Sequence, residues 1–338
     1  MTRRALVTGS AGFIGYHLCA RLLADGWEVI GVDALTDYYD VTLKERRQAM
    51  LLQSAGFRAV TQRIERPGLL HELMDEARPE AVIHLAAQAG VRYSIENPES
   101  YVDANLIGTF RLLEAMRAFP PAHSLLASTS SVYGANTTMP YAETAKADTQ
   151  MSFYAATKKA NEAMAHSYAH LYALPTTMFR FFTVYGPWGR PDMALFKFTR
   201  AILAGRPIEV YNHGEMSRDF TYVTDLVDGI VRLIDTVPVR PAAPADVPAG
   251  DSLSPVAPYR IVNIGNSDSV RLLDFIEAIE AATGRTAEKT FMDIQPGDVP
   301  ATWADATLLG ALTGYAPRTP VTEGVARFVE WYRDYYRV

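Results

Sequence analysis

The segment Thr8-Gly-Ser-Ala-Gly-Phe-Ile-Gly15 follows a short apolar run and opens a helical stretch, and it constrains the fold more than any other feature of the chain. Glycines at 9, 12 and 15 let the backbone turn tightly after a strand and approach a pyrophosphate, while the helix that starts there aims its positive end at the anion. A glycine triplet alone is a weak signal. Its context narrows the choice: a second run, Val29-Ile-Gly-Val32, leads to Asp33, 24 residues after Gly9. A carboxylate there can accept from an adenosine ribose and repels a 2'-phosphate, so the expected cofactor is NAD rather than NADP.

Ala5–Thr8, Val29–Val32, Ala81–Leu85, Leu125–Ser128 and Thr176–Arg180 read as strands. Between them, Leu69, Leu70, Leu73, Met74 and Ala77, closed by Pro79, and Leu106, Phe110, Leu113 and Met116, closed by Pro120, keep helical spacing. This alternation predicts an α/β fold, a doubly wound parallel sheet of Rossmann type over residues 1–180. Beyond 180 the pattern loosens, and 181–338 reads as a smaller α/β unit that completes a cleft, with segments near 213–235 and 259–268 crossing between the two. Residues 237–258, with six prolines, read as a surface excursion.

At 338 residues and 49% hydrophobic content the chain can bury a full core. A lone cysteine, Cys19, excludes an internal disulfide and a multi-cysteine metal site, and no other metal constellation is visible. The net charge of −6 comes without a Lys/Arg block, so no nucleic-acid partner is expected. No apolar run reaches the roughly 18 residues of a membrane span, so no membrane association is expected and the expected location is cytoplasmic.

Tyr154-Ala-Ala-Thr-Lys158 puts a phenol and an ammonium four residues apart, on one helix face. A phenol titrating near 10 needs a shift of about three units, roughly 4 kcal/mol, to act as a base near neutrality, and a nearby Lys together with an oxidised nicotinamide ring can supply it. The spacing arises easily by chance. Its weight comes from Ser128-Thr-Ser-Ser131, which closes a strand and sets hydroxyls at the carboxyl edge of the sheet, where α/β folds bind ligands. Without the tyrosine, that strand end would read as well as a turn cap.

With these three features in place, the chain resembles the extended short-chain dehydrogenase/reductases over nearly its whole length. Asp37-Tyr-Tyr-Asp-Val-Thr-Leu-Lys44, Ala87-Gln-Ala-Gly-Val-Arg-Tyr-Ser94, Arg180-Phe-Phe-Thr-Val-Tyr-Gly-Pro-Trp-Gly-Arg-Pro-Asp-Met193 and Gln295-Pro-Gly-Asp-Val299 resemble, more narrowly, the UDP-glucuronate 4-epimerases of that family. The resemblance implies an NAD-dependent isomerase that oxidises C4 of a UDP-sugar, lets the 4-keto sugar turn and returns the hydride. It implies Thr129, Tyr154 and Lys158 as catalytic residues, with Asn105 supporting the proton network. Cofactor contacts are implied at Gly9, Gly12, Phe13, Ile14, Gly15, Asp33, Leu85, Ala86, Ala87, Asn105, Tyr154 and Lys158. Substrate contacts are implied at Ser130, Ser131, Thr183, Arg190, Arg218 for the diphosphate and Asp298 for the uridine ribose. A homodimer through helices near 100–117 and 154–172 is implied as well.

Ser130 and Ser131 stand where related dehydratases and decarboxylases carry acidic residues, and a hydroxyl of ordinary pKa cannot do that acid/base work. If the substrate is a uronate, its 4-keto form is a β-keto acid that loses carbon dioxide readily. Hydrogen bonds from Ser130, Ser131 and Thr183 would hold charge on the carboxylate and oppose that loss. Thr183 takes a place where hexose epimerases tend to show Asn. The leading reading is therefore UDP-glucuronate to UDP-galacturonate epimerisation. The alternatives are a UDP-glucose or UDP-N-acetylglucosamine 4-epimerase, a UDP-glucuronate decarboxylase, and a non-catalytic dinucleotide-binding protein. Arg63, Thr224 and Trp303 depart from the family pattern, the first near the adenine, and His84 reads as a core histidine under the cofactor site.

Overall fold

A computed structural model describes residues 2–295 and 297–338; Met1 and Pro296, the latter within the Gln295–Val299 motif, lie outside the described residues. The strands β1 (Arg4–Thr8), β2 (Glu28–Asp33), β3 (Phe57–Thr61), β4 (Ala81–His84), β5 (His123–Thr129) and β6 (Thr176–Phe181) form one parallel sheet, extended beside β6 by Tyr259–Ile264. Across the sheet the order is Tyr259–Ile264, β6, β5, β4, β1, β2, β3. This is the expected doubly wound α/β architecture, and its strand order reverses between β1 and β4, which opens a crevice at their carboxyl ends. Both β4 and β5 are buried along their whole length, as parallel strands covered by helices on both faces must be.

On one face, α1 (Phe13–Ala24) contributes Leu18, Cys19 and Leu22, and the Val223–Ile234 helix adds Leu226, Ile230 and Leu233. The other face is covered by the Leu69–Ala77, Gly108–Ala118 and Phe153–Tyr172 helices. One expected core position is corrected. Phe110 is 41% exposed, while Leu112, Leu113 and Met116 are buried. The helix begins as a π turn over Val102–Ile107, and its wider turn rotates the face that the following residues present.

The carboxyl-terminal part packs the Ala194–Leu203, Leu272–Thr283 and Val321–Tyr336 helices round Phe196, Phe220, Phe275 and Phe328. Its strands are only two or three residues long and pair in three small sheets. The chain does not divide at one boundary: besides the Val223–Ile234 helix and the Tyr259–Ile264 strand, the Thr307–Thr313 helix returns to the large sheet through Leu308 and Leu309. Within the proline-rich excursion the Asp251 carboxylate accepts from Arg260 Nε and Nη2 at 2.9 and 3.0 Å, and Ser252 Oγ accepts from Ile261 N at 3.1 Å, which covers the outer edge of that sheet.

Candidate active site

At the end of β1, Gly9 N donates to Val32 O at 2.7 Å and Gly12 N to Gly9 O at 3.0 Å. Gly9 has a φ of +76°, and a Cβ on it would lie 2.7 Å from Ala86 N; one on Gly15 would lie 2.0 Å from Gly9 O. Only glycine fits these contacts. Gly12 caps α1 without any side-chain hydrogen bond, so the first-turn amides are left for an anion. The Asp33 carboxylate is fixed at the end of β2 by Ala11 N at 3.0 Å and Leu35 N at 2.9 Å.

These groups line a cavity of about 700 Å³ at the carboxyl ends of the strands, a size typical of ligand sites. Gly9, Gly12, Phe13, Ile14, Gly15 and Asp33 meet Leu85, Ala86 and Ala87 from the end of β4, and Thr129, Tyr154, Lys158 and Arg190 form further parts of its wall. Six separate stretches of sequence converge there.

Ser152 starts the Tyr-Lys helix, its hydroxyl accepting from Ala155 N at 3.1 Å. One turn on, Lys158 is buried, donates to Ala127 O at 3.0 Å, and has its ammonium pushed down to about 8 by burial. Burial raises the Tyr154 phenol above its ordinary value, against the smaller lowering effects of a Thr129 hydrogen bond and the Arg190 charge. His84 is buried between Thr8 Oγ1 at 2.7 Å and Thr109 Oγ1 at 3.1 Å, and burial followed by the Lys158 charge pushes it down to about 3. It is a neutral core histidine.

Asn105 lies in the π turn, fully buried, and does not reach the cavity wall. Its Oδ1 accepts from Gln88 N at 2.8 Å and its Nδ2 donates to Gln88 O at 3.1 Å, so it fixes a residue that does. Ser131 is tied to Thr129, its amide donating to Thr129 Oγ1 at 3.2 Å, while Thr183 N donates to Asp219 O at 3.0 Å. Ser130, Ser131 and Thr183 flank the cavity rather than line it. Arg218 and Asp298 form a second cluster. The Arg218 guanidinium donates to Val299 O at 2.7 Å and Pro300 O at 3.1 Å, and Asp298 accepts from Arg92 at 2.9 Å.

Sequence reasoning left several wall residues without a role. Tyr38 donates to Asp192 Oδ2 at 3.2 Å, and Asp192 in turn holds Arg190 through Nε at 3.0 Å and Nη2 at 2.5 Å. Lys44 donates to Thr36 O at 2.6 Å beside Asp33. Both lie in the Asp37–Lys44 motif, whose resemblance was the available signal. Arg63 also reaches the wall and pairs with Glu65 at 3.0 Å. Among the described residues no group of three or more His, Cys, Asp or Glu is placed to hold a metal, and no helix is long and apolar enough to cross a membrane.

Residues 5–243 match the profile of the NAD dependent epimerase/dehydratase family. A probable UDP-glucuronate 4-epimerase of Rhizobium meliloti (strain 1021) is 58% identical over 334 residues, covering 99% of this chain and 98% of that protein. UDP-glucuronate 4-epimerase 2 of Arabidopsis thaliana is 44% identical over 337 residues, covering 98% of this chain and 76% of the plant protein. The crystal structure of UDP-glucuronic acid 4-epimerase from Bacillus cereus, in complex with UDP-glucuronic acid and NAD, superposes with a TM-score of 0.88 at 31% identity, covering 98% and 100% of the two chains.

Proposed function

The chain belongs to the NAD dependent epimerase/dehydratase family, and on that premise we propose that it interconverts UDP-glucuronate and UDP-galacturonate by inverting C4. The observation that carries the reading is the convergence of Thr129, Tyr154, Lys158 and Arg190 on the cavity lined by the glycine turn. The glycine contacts, which any Cβ would fill, and the fixed Asp33 carboxylate fit a dinucleotide. When bound there, NAD would supply reversible hydride acceptance at C4, so that no redox equivalent is consumed.

Tyr154 takes the C4 hydroxyl proton and later returns it, while Thr129 hydrogen-bonds the same oxygen. The phenol must be brought down from its raised value for this step. The Thr129 hydrogen bond and the Arg190 charge favour the phenolate, and the Lys158 ammonium in the same wall is assigned to support it as the proton leaves. Ser130, Ser131 and Thr183 are assigned to the uronate carboxylate, and Arg218 and Asp298 to the uridine diphosphate. For the latter two, binding exchanges their present partners, Val299 O, Pro300 O and Arg92, for the nucleotide. A homodimer is supported by exposed Ile107 and Phe110 on one helix and Phe153 on the other. A cytoplasmic location is supported by the single thiol, Cys19, buried and unpaired.

Incubating the purified protein with UDP-glucuronate, without added reductant, is expected to give an isomer of equal mass. A product lighter by carbon dioxide would overturn the carboxylate assignment, and turnover of UDP-glucose alone would overturn the substrate.

A further inference from the structure

Helix α2 (Val41–Leu51) begins within the Asp37–Lys44 motif and has no part in the chemistry above, yet its Arg47 is wholly buried. Arg47 Nη1 donates to Ala11 O at 3.0 Å and to Tyr39 Oη at 2.9 Å, and Nη2 donates to Trp188 O at 2.6 Å. Ala11 lies inside the glycine turn. Trp188 lies in the turn that leads to Arg190, on another part of the cavity wall. All three acceptors are neutral, and Nε has no partner. A buried cation held this way is an expensive strut, and an apolar side chain would fill the same space more cheaply.

The turn it grips needs holding. Trp188 has a φ of +62°, a left-handed conformation that side chains rarely adopt, and Gly186 has a φ of +141°, where a Cβ would lie 2.8 Å from Val223 Cγ1. A second tie runs from the cofactor side, His17 Nε2 meeting Pro187 O at 2.9 Å, and the Tyr16 ring packs 5.8 Å from Trp188. The planar guanidinium places two nitrogens in fixed relation on the two carbonyls, so displacement of one carbonyl is passed to the other; a lysine, with one nitrogen, cannot do this.

We propose that Arg47 is a positioning residue that couples the two walls of the site: ordering of the glycine turn by the dinucleotide is transmitted through Arg47 to the Gly186–Arg190 turn, and so to the aim of Arg190. The coupling rests on NAD binding at the glycine turn and is independent of which sugar is turned over.

Amide hydrogen exchange with and without saturating NAD tests it, in the wild type, Arg47→Met, Arg47→Lys and Leu51→Ala. The last variant removes a buried side chain from the same helix and reports the effect of lost stability alone. In the wild type and Leu51→Ala, NAD is expected to slow exchange at both 9–15 and 186–193, by about fivefold or more at the second segment. In Arg47→Met the protection of 9–15 persists and that of 186–193 disappears. Arg47→Lys falls nearer the methionine variant and carries the test alone should Arg47→Met fail to fold. Equal protection of 186–193 in wild type and Arg47 variants, or none in the wild type, overturns the coupling. Because no sugar enters the experiment, failure of the epimerase reading would show separately, as absent turnover of UDP-glucuronate.

Discussion

The first-turn amides of α1 and Arg218 are both assigned to phosphate oxygens, but those amides follow a five-residue strand in a seven-stranded sheet, whereas Arg218 sits in a two-residue strand between partners equally short. On the cofactor side the anion-facing groups are backbone amides, positioned by strands buried between two layers of helices. On the side assigned to the substrate nucleotide they are side chains, positioned by buried polar clamps. The Asp219 carboxylate, fully buried, accepts from Asn266 N at 2.7 Å, Ser267 N at 2.9 Å, Ala304 N at 3.1 Å and Thr221 Oγ1 at 3.2 Å, drawing three connections together. Where strands are too short to be held by sheet burial, a satisfied polar group takes over their positioning.

The largest expected effect tests whether the chemistry belongs wholly to the sheet side. Tyr154→Phe is expected to lower kcat by about 10³-fold with NAD still bound, since the ring remains and only the proton-transferring oxygen is lost; steady-state turnover and cofactor retention measure it. Residual activity above about a tenth would move the acid/base role elsewhere.

Next in size, Gly15→Ala drives a Cβ to 2.0 Å from Gly9 O and is expected to weaken NAD binding about 100-fold, as read by titration. Its counterpart across the cleft, Asp219→Asn, turns an NH₂ towards backbone N–H donors. It is expected to raise the KM for UDP-glucuronate about tenfold while leaving NAD affinity unchanged. If Asp219→Asn weakened both ligands alike, the two sides would not be separately built.

This difference in construction also decides what could be read from the chain. Gly9 to Gly15, Asp33 and Tyr154 to Lys158 are local patterns whose periods of 2 and 3.6 residues and turn chemistry are written in consecutive residues. The edge strand Phe57–Thr61 escaped because Phe-Arg-Ala-Val-Thr carries little apolar pattern: only Phe57 is fully buried, while Ala59 and Val60 are half-buried against opposite faces of the sheet. Phe110 was misplaced because a π turn shifts helical phase without any composition signal. Asp219 and Arg47 could not be found by periodicity at all. The partners of Asp219 lie up to 85 residues away in sequence and those of Arg47 up to 141, and only the folded chain brings them together.

Lys158 and Arg218 sharpen the comparison through stability, the smallest effect of the set. Burial holds the Lys158 ammonium at about 8 against an ordinary 10.5. Below pH 8 the residue is charged in both folded and unfolded chains, and folding bears the full cost of burying that charge. Between pH 8 and 10.5 the unfolded chain binds the proton more often than the folded one, so stability attributable to Lys158 rises with pH and the penalty fades. Lys158→Met is therefore expected to stabilise the cofactor-free protein by about 1–2 kcal/mol at pH 7, the relieved penalty less the lost Ala127 O hydrogen bond, while abolishing most turnover. Denaturant unfolding of both proteins at pH 7 and pH 10 measures this, and the gap should close at the higher pH. Arg218→Met should act in the opposite direction at both pH values, losing about 1–3 kcal/mol, because Val299 O and Pro300 O forfeit the donor that holds their loop. A cation buried for chemistry weakens the fold, and one that doubles as a clamp supports it. Stabilisation by both substitutions would erase the distinction drawn between the two sides of the cleft.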